Sequence, residues 1–424
     1  MFPLDRTHEL RWLYIDFNSY FASVEQQLQP HLRGKPIAVV PVETDATCAI
    51  AASYEAKAFG IRTGTPVWEA KKVCPDLVCV LARHEHYLAY HQRILEEVNN
   101  HLPVTEVCSI DEVACRLMAN EMALERVLEI AHGIKRGLAM RVGEYVRCSI
   151  GIAPNRYLAK VATDLQKPNG LVVLHAVEAR ARLSQLALRD LPGIGHNMEI
   201  RLRKAGIHQV DQLFTLDAAT MRKVWGSLWG EKMWYYLRGA EVHEKETNRS
   251  TVGHSHVLAP ECRPPEQARL IARRLTLKAA SRLRRIGYYA TQFHLSVRME
   301  NGERFEYDAR CFRAQDSLTF LAMLDEGWAQ IRRQSKQARM KKVSVSLNGL
   351  AAADTLQEDL FQALPQPALI KRRRAEIVSH MLDALNHRFG RDTVQIGLVR
   401  QQSSHFTGTK IAFTRIPDAE EFIE

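Results

Sequence analysis

Tyr14-Ile15-Asp16-Phe17-Asn18-Ser19-Tyr20-Phe21-Ala22-Ser23-Val24-Glu25 is the stretch on which the fold turns. It continues an apolar run, Leu10-Arg11-Trp12-Leu13-Tyr14-Ile15, that reads as a buried strand. A strand is expected over residues 9–17 and a helix over 18–28, with Asn18 or Ser19 as its cap. Asp16 therefore stands at a strand end. Asp111 and Glu112 follow a second β-prone run, Val104 to Ile110, broken mainly by Thr105 and Glu106. A carboxylate in such a place is costly to bury unless something compensates it. Hard divalent cations compensate it well, because Mg²⁺ takes oxygen ligands from a few carboxylates plus substrate phosphates. Taken alone, however, the three acids read as strand ends that face water.

Further strings follow in order. They are Gly34-Lys35-Pro36-Ile37-Ala38-Val39, Ala52-Ser53-Tyr54-Glu55-Ala56-Lys57-Ala58-Phe59-Gly60-Ile61 and Ser109-Ile110-Asp111-Glu112. Then come Gly151-Ile152-Ala153-Pro154-Asn155-Arg156-Tyr157-Leu158-Ala159-Lys160, Lys167-Pro168-Asn169-Gly170 and Leu191-Pro192-Gly193-Ile194-Gly195. Each string is weak by itself. Seven in this order resemble the Y-family DNA polymerases, the UmuC/DinB translesion enzymes. Asn18-Ser19 and the long C-terminal stretch lean towards the UmuC branch. The resemblance implies an α+β, multidomain, right-hand polymerase. Its palm would take residues 1–19 and 84–174, and its small fingers 20–83. An all-α thumb with a helix-hairpin-helix would take 175–240, a linker 241–251, and an α+β little finger 252–350. A C-terminal tail would occupy 351–424.

Composition agrees with this partition. A chain of 424 residues is too long for one ordinary domain and suits two to four. Its net charge of +10 favours a polyanionic partner, nucleic acid before membrane. The eight cysteines form no C-x-x-C pair and no zinc spacing, which reads as a reduced, cytoplasmic protein. Residues 1–6 lack the apolar core of a signal peptide. No apolar run approaches the roughly 20 residues of a membrane helix. His84-Glu85-His86, a metal-like pair, reads as surface on a polar helical stretch.

Two regions bear on DNA. Gly193 and Gly195 permit a tight turn and let backbone N–H groups approach a phosphate. In the little-finger helix expected at 265–285, Arg274, Lys278, Arg282 and Arg285 share one face, a candidate phosphate-binding stripe.

The resemblance also assigns the chemistry. It implies two Mg²⁺ ions held by Asp16, Asp111, Glu112 and the backbone carbonyl of Phe17. It places primer-template DNA and dNTPs as substrates, with Tyr54, Lys57 and Lys167 on the triphosphate. Phe21 matches the steric gate, the aromatic residue that fills the space a ribose 2′-hydroxyl needs. Departures exist. Many relatives carry Arg at the position of Lys57 and Thr or Ser at Ala51, and Lys loses the bidentate fork of Arg. Val113-Ala114-Cys115 replaces the usual Ala-Tyr-Leu-like run, with no functional reading attached.

A translesion polymerase is the first reading. A non-catalytic homologue acting as a clamp-bound scaffold is the second, and retention of all three acids disfavours it. A repair factor using only the helix-hairpin-helix leaves the N-terminal motifs unexplained. Gln357-Glu358-Asp359-Leu360-Phe361 resembles the Q-x-x-L-F peptide by which bacterial polymerases bind the β sliding clamp. Gln357, Leu360 and Phe361 would make that contact. Residues 368–424 resemble a docking tail for a UmuD-like accessory protein.

Overall fold

The computed structural model describes residues 9–242, 249–335, 338–353, 366–390, 393–397 and 416. The clamp-like segment at 357–361 lies outside the described residues. The chain divides into two compact units, one with the described residues 9–242 and Ile416, the other with those from 249 to 397.

The first unit opens with β1 (Trp12–Phe17), all six residues buried. Both of its faces are covered, which is why its sequence is apolar apart from Asp16. Leu13, Ile15 and Phe17 enter one core with Tyr87, Ile94 and Ile134. Trp12 and Tyr14 enter another with Tyr157, Leu158 and Tyr236. Strand alternation puts Asp16 on the second face. Next comes α1 (Tyr20–Leu28), whose Tyr20, Ala22 and Val24 belong to the first core. The expected boundary between palm and fingers at residue 20 thus cuts through one packed core. Neither Asn18 nor Ser19 caps α1 with its side chain, contrary to expectation. The Asn18 amide instead donates to Ser149 Oγ at 3.0 Å, and its carbonyl oxygen accepts the N–H of Asn169 at 2.7 Å.

The small insert follows: β2 (Ile37–Val40), β3 (Ala51–Ala52), α2 (Tyr54–Lys57), α3 (Val67–Val73) and β4 (Val78–Leu81). β3 pairs antiparallel with β2, and β4 adds a parallel partner. The chain then returns through α4 (His84–Asn99), β5 (Glu106–Ser109), β6 (Glu112–Arg116), α5 (Leu124–Gly137), β7 (Cys148–Ala153), α6 (Arg156–Leu165) and β8 (Leu171–Val173). The main sheet has the order β5-β6-β1-β7-β8. Five helices complete the unit: α7 (Ala176–Leu183), α8 (His196–Lys204), α9 (Val210–Thr215), α10 (Ala218–Trp225) and α11 (Leu228–Leu237).

The second unit contains β9 (Thr251–Val257), α12 (Pro265–Arg285), β10 (Tyr288–Met299), β11 (Arg304–Ala314), α13 (Ser317–Gln334), β12 (Met340–Asn348), β13 (Ala351–Ala352) and α14 (Gln366–Phe389). Its sheet runs β11-β10-β12-β9, and α12 and α13 share a core with it around Phe293, Val345 and Phe320. Two elements escaped the sequence reading. β9, Thr-Val-Gly-His-Ser-His-Val, is one, a largely exposed and polar strand at the sheet edge. α14 occupies the stretch read as a tail, and it packs on its own unit. Its Asp383 pairs with Arg284 at 2.6 Å, and Ser379 Oγ accepts the N–H of Ser317 at 3.1 Å. All eight cysteines are free thiols. Among the described residues no helix is long and apolar enough to cross a membrane.

Candidate active site

The three acids come from two neighbouring strands and one turn. Asp16 of β1 lies directly opposite Glu112 of β6 in the antiparallel register. Between β5 and β6 the chain turns through Ile110 and Asp111. The N–H of Phe17 donates to the Asp111 carbonyl at 2.8 Å, which fastens the turn to the end of β1. Behind it, Nδ1 of His91 sits 2.8 Å from the Ile110 carbonyl. That carbonyl can only accept, and burial holds the imidazole pKa down, so a neutral ring donates there.

Lys160 reaches this site from α6. The helix starts at Asn155, whose side chain accepts the N–H of Leu158 at 2.8 Å. It lies close on β7 at Gly151, where a Cβ would come within 2.0 Å of the Ala159 carbonyl. From there the Lys160 ammonium binds Asp16 Oδ2 and sits 2.5 Å from Glu112 Oε1. Lys167 pairs with Asp16 Oδ1 at 2.8 Å and with Asp164 at 2.7 Å. Tyr14 donates its hydroxyl to Glu112 Oε2 at 3.2 Å.

The electrostatics differ from one acid to the next. Burial pushes the Asp16 carboxyl up, but the ammoniums of Lys160 and Lys167 outweigh it and hold the pKa below the ordinary value. The Asp111 pKa is raised, chiefly by burial, and the charges of Asp16 and Glu112 add to this. The hydroxyl of Ser109, donating to Asp111 Oδ1 at 2.6 Å, offsets only part. A buried carboxyl without a cationic partner close by, next to two more carboxylates, is an oxygen-donor set suited to a hard cation. As the side chains stand, no group of three His, Cys, Asp or Glu among the described residues is drawn together tightly enough to hold an ion. The donor chemistry fits Mg²⁺, and a cation would compete with Lys160 for the same oxygens.

The expected triphosphate residues also gather here. Lys57 places Nζ 4.4 Å from the centre of the Tyr54 ring. Burial lowers the Lys57 pKa, the nearby Lys167 lowers it further, and Asp16 works against both. Burial pushes the Tyr54 hydroxyl up to about 12, helped by Asp16 and Asp164. Lys167 thus contacts Asp16 directly, while Tyr54 and Lys57 lie close enough to feel its charge. Phe21 is half-buried and stacks on Tyr87, with ring centres 4.3 Å apart. His84 meets the Phe21 ring edge-on at 5.9 Å. His84 is thus buried beneath Phe21, which corrects its reading as surface, while Glu85 and His86 are exposed as expected.

Gly193 and Gly195 play different parts. Gly193 has φ +89°, and a Cβ there would sit 2.9 Å from the Trp229 indole nitrogen. Gly195 opens α8 and has open space where a Cβ would be. Only Gly195 leaves room for a phosphate to approach. In the second unit, Arg274, Lys278 and Arg282 are half-buried rather than solvated, and Arg285 is exposed. The sequence reading overlooked the sheet face turned away from α12 and α13. Gln292, His294, Ser296 and Arg298 of β10 alternate with its buried Phe293, Leu295 and Val297. Arg310 of β11 and Lys342 of β12 stand opposite Gln292 and Arg298. Lys160 was overlooked as well. Its signal was the spacing Lys160, Asp164, Lys167, which is one face of a helix and its exit.

Comparison with known proteins follows the same division of the chain. The impB/mucB/samB family profile matches residues 15–164, and the C-terminal domain of that family matches 249–360. The thumb domain of DNA polymerase-iota matches 189–241. DNA polymerase IV of Moorella thermoacetica is 32% identical over 392 residues, spanning 89% of this chain and 94% of that protein. DNA polymerase IV 1 of Bacillus subtilis is 27% identical over 406 residues, spanning 93% and 95%. A Y-family DNA polymerase chimera of Dbh and Dpo4 superposes with a TM-score of 0.69 at 23% identity, covering 81% of this chain and 99% of the other. The insertion ternary complex of Dbh DNA polymerase gives a TM-score of 0.54 at 24% identity, covering 80% and 98%. These two relatives bear the name DNA polymerase IV, not that of the UmuC branch towards which Asn18-Ser19 leaned. The match to the first of them runs nearly the full length of both chains, so the chain belongs to the Y-family DNA polymerases and is a DNA-directed DNA polymerase.

Proposed function

We propose that this polymerase extends a primer opposite damaged template, adding dNMPs with two Mg²⁺ ions held by Asp16, Asp111, Glu112 and the Phe17 carbonyl. The observation that carries the reading is the opposed pair Asp16 and Glu112, with Asp111 fastened beside them and two lysines converging on Asp16. Bound there, the metal pair would supply activation of the 3′-hydroxyl and stabilisation of the leaving pyrophosphate. The protein's own residues do the rest. Lys57 and Lys167 neutralise the triphosphate as point charges, and Tyr54 donates its hydroxyl to it. Lys167 already contacts Asp16, so the triphosphate is drawn towards the acids. Phe21, braced by Tyr87 and His84, closes the space beside the sugar C2′. Gly195 and the start of α8 take a backbone phosphate of the duplex. In the second unit the polar sheet face with Arg298, Arg310 and Lys342 is the better DNA surface, because Arg298 and Arg310 are exposed whereas Arg274, Lys278 and Arg282 of α12 are half-buried.

The domain roles follow the same reading, with palm, small fingers, thumb and little finger in chain order. Gln357, Leu360 and Phe361 would tether the enzyme to the β sliding clamp, and a UmuD-like protein is the accessory partner. The deciding experiment is primer extension with Mg²⁺ and dNTPs on intact and lesion-bearing templates. Extension past the lesion is expected. A folded protein that binds primer-template yet adds no nucleotide would leave the scaffold reading in its place.

A further inference from the structure

One side of α14 is packed and the other is not. On the packed side Ala375 and Ser379 are buried, and Asp383 accepts from Arg284. Arg372 donates to the Phe312 carbonyl at 2.9 Å and to Glu376 at 3.2 Å. On the other side Ile370, Ile377, Met381 and Leu385 are exposed, with Ile377 and Met381 each 59% accessible. Their spacings of seven, four and four residues place them in one stripe along the helix. Val378 and Phe389 widen it. A single exposed leucine needs no explanation, but six large apolar side chains in line do.

The charges are as one-sided as the apolar residues. Lys371, Arg373, Arg374 and Arg388 are exposed. The only acids of the helix, Glu376 and Asp383, are both engaged in ion pairs on the packed side. The outer face is therefore basic and apolar with no carboxylate. Nor do Lys371, Arg373 and Arg374 serve the helix itself. Its first turn has no acid and its second turn is cationic, the reverse of what the macrodipole favours.

We propose that the outer face of α14 docks an acidic amphipathic segment of another protein. Ile370, Ile377, Met381 and Leu385 would anchor in its apolar row, and Lys371, Arg373 and Arg374 would meet its carboxylates at one end. The stripe from Ile370 to Phe389 is about 28 Å long, enough for a helical partner of similar length. Phosphate contacts of DNA would use the cations and leave the apolar row in water. A lipid surface favours cations spread along the whole length of the row. Here three of the four exposed cations fall within residues 371–374. The inference is independent of the metal assignment.

The test uses the full-length protein and a fluorescent 22-residue peptide with Leu and Phe on one helical face and Glu on the other. A scrambled peptide of the same composition, phosphatidylglycerol vesicles and sedimentation of the protein alone complete the set. The ordered peptide is expected to bind at least about tenfold tighter than the scrambled one. Two variants, Ile377→Ser with Met381→Ser and Leu385→Ser, and Arg373→Glu with Arg374→Glu, should each weaken it at least about tenfold. Both should keep parental primer extension, which shows that they fold. Equal binding of the two peptides, or of parent and variants, overturns the proposal. So does no binding at all. Vesicle binding lost in the variants would assign the face to lipid, and a dimer lost in them would assign it to a second copy. Either result replaces the acidic partner.

Discussion

Lys160 holds its ammonium 2.5 Å from the Glu112 carboxylate while the same nitrogen binds Asp16, 144 residues away in sequence. Two of the three acids are thereby neutralised from within, whereas the Asp111 carboxyl, among the described residues, accepts a hydrogen bond from Ser109 alone. A cation that serves catalysis must share or displace what Lys160 holds. The acid most in need of that cation is therefore Asp111, whose pKa burial and its acidic neighbours raise.

Asp111→Ala should abolish nucleotide addition, lowering the rate by at least about 10²–10³-fold. Primer-template affinity should hold, because the residue faces the metal site rather than the duplex. Single-turnover extension and a filter-binding assay measure the two separately. Normal extension by the folded variant would sink the metal assignment.

Phe21→Ala should admit ribonucleotides. The ring is held by stacking on Tyr87 and touches no acid, so its loss opens space without disturbing the carboxylates. Incorporation of rNTP relative to dNTP should rise at least about tenfold, equivalent to about 1.4 kcal/mol. An unchanged ratio would place the gate elsewhere.

Glu97 is buried on α4, where it accepts from the side chains of Arg141 and His101. The Arg141 hydrogen bond, outweighing burial, holds its carboxyl below the usual range, with His101 adding to the effect. A depressed folded pKa means stability that is full above the unfolded value, about 4.3, and lost as pH falls through the folded one. Glu97→Gln should therefore destabilise the protein at pH 7 by about 1–2 kcal/mol, discounted for the exposure of Arg141. The difference from the parent should shrink as pH drops below about 4. Thermal melts across pH 3–8 read it out, and a difference constant with pH would refute the charged role.

Replacing Arg298, Arg310 and Lys342 with Ala should make the slope of log K against log salt shallower by roughly 0.9 per lost phosphate contact. The triple variant Arg274→Ala, Lys278→Ala, Arg282→Ala should change the slope less, because those side chains are half-buried. The reverse order would return the DNA surface to α12.

The variant Gln357→Ala, Leu360→Ala, Phe361→Ala should keep basal primer extension and lose stimulation by the sliding clamp. A five-residue contact is weak alone and matters through effective concentration once the enzyme is also on DNA. Equal stimulation of variant and parent would remove the clamp contact.

Much of the site was legible in the sequence because its parts are local. A buried strand ending in Asp16, a two-acid strand boundary at Asp111-Glu112, and Tyr54 and Lys57 one turn apart can each be read within a dozen residues. Chain order and family resemblance then joined them. What could not be read was which groups meet across the chain. Lys160 looks like an ordinary helix lysine until α6 lies on β7 at Gly151 and brings its ammonium to two acids. Asn18 looks like a cap until β7 and the chain around Asn169 stand beside it. His84 looks exposed until Phe21 and Tyr87 close over it. α14 reads as a tail in the sequence, and only packing shows that its Ala375 and Ser379 are buried while Ile377 and Met381 stay exposed. The sequence alone determined which chemistry was present and in which elements, since propensity and periodicity act over a few residues. The tertiary structure decided which charges neutralise one another, because Coulomb and hydrogen-bond energies depend on distances that long-range packing sets.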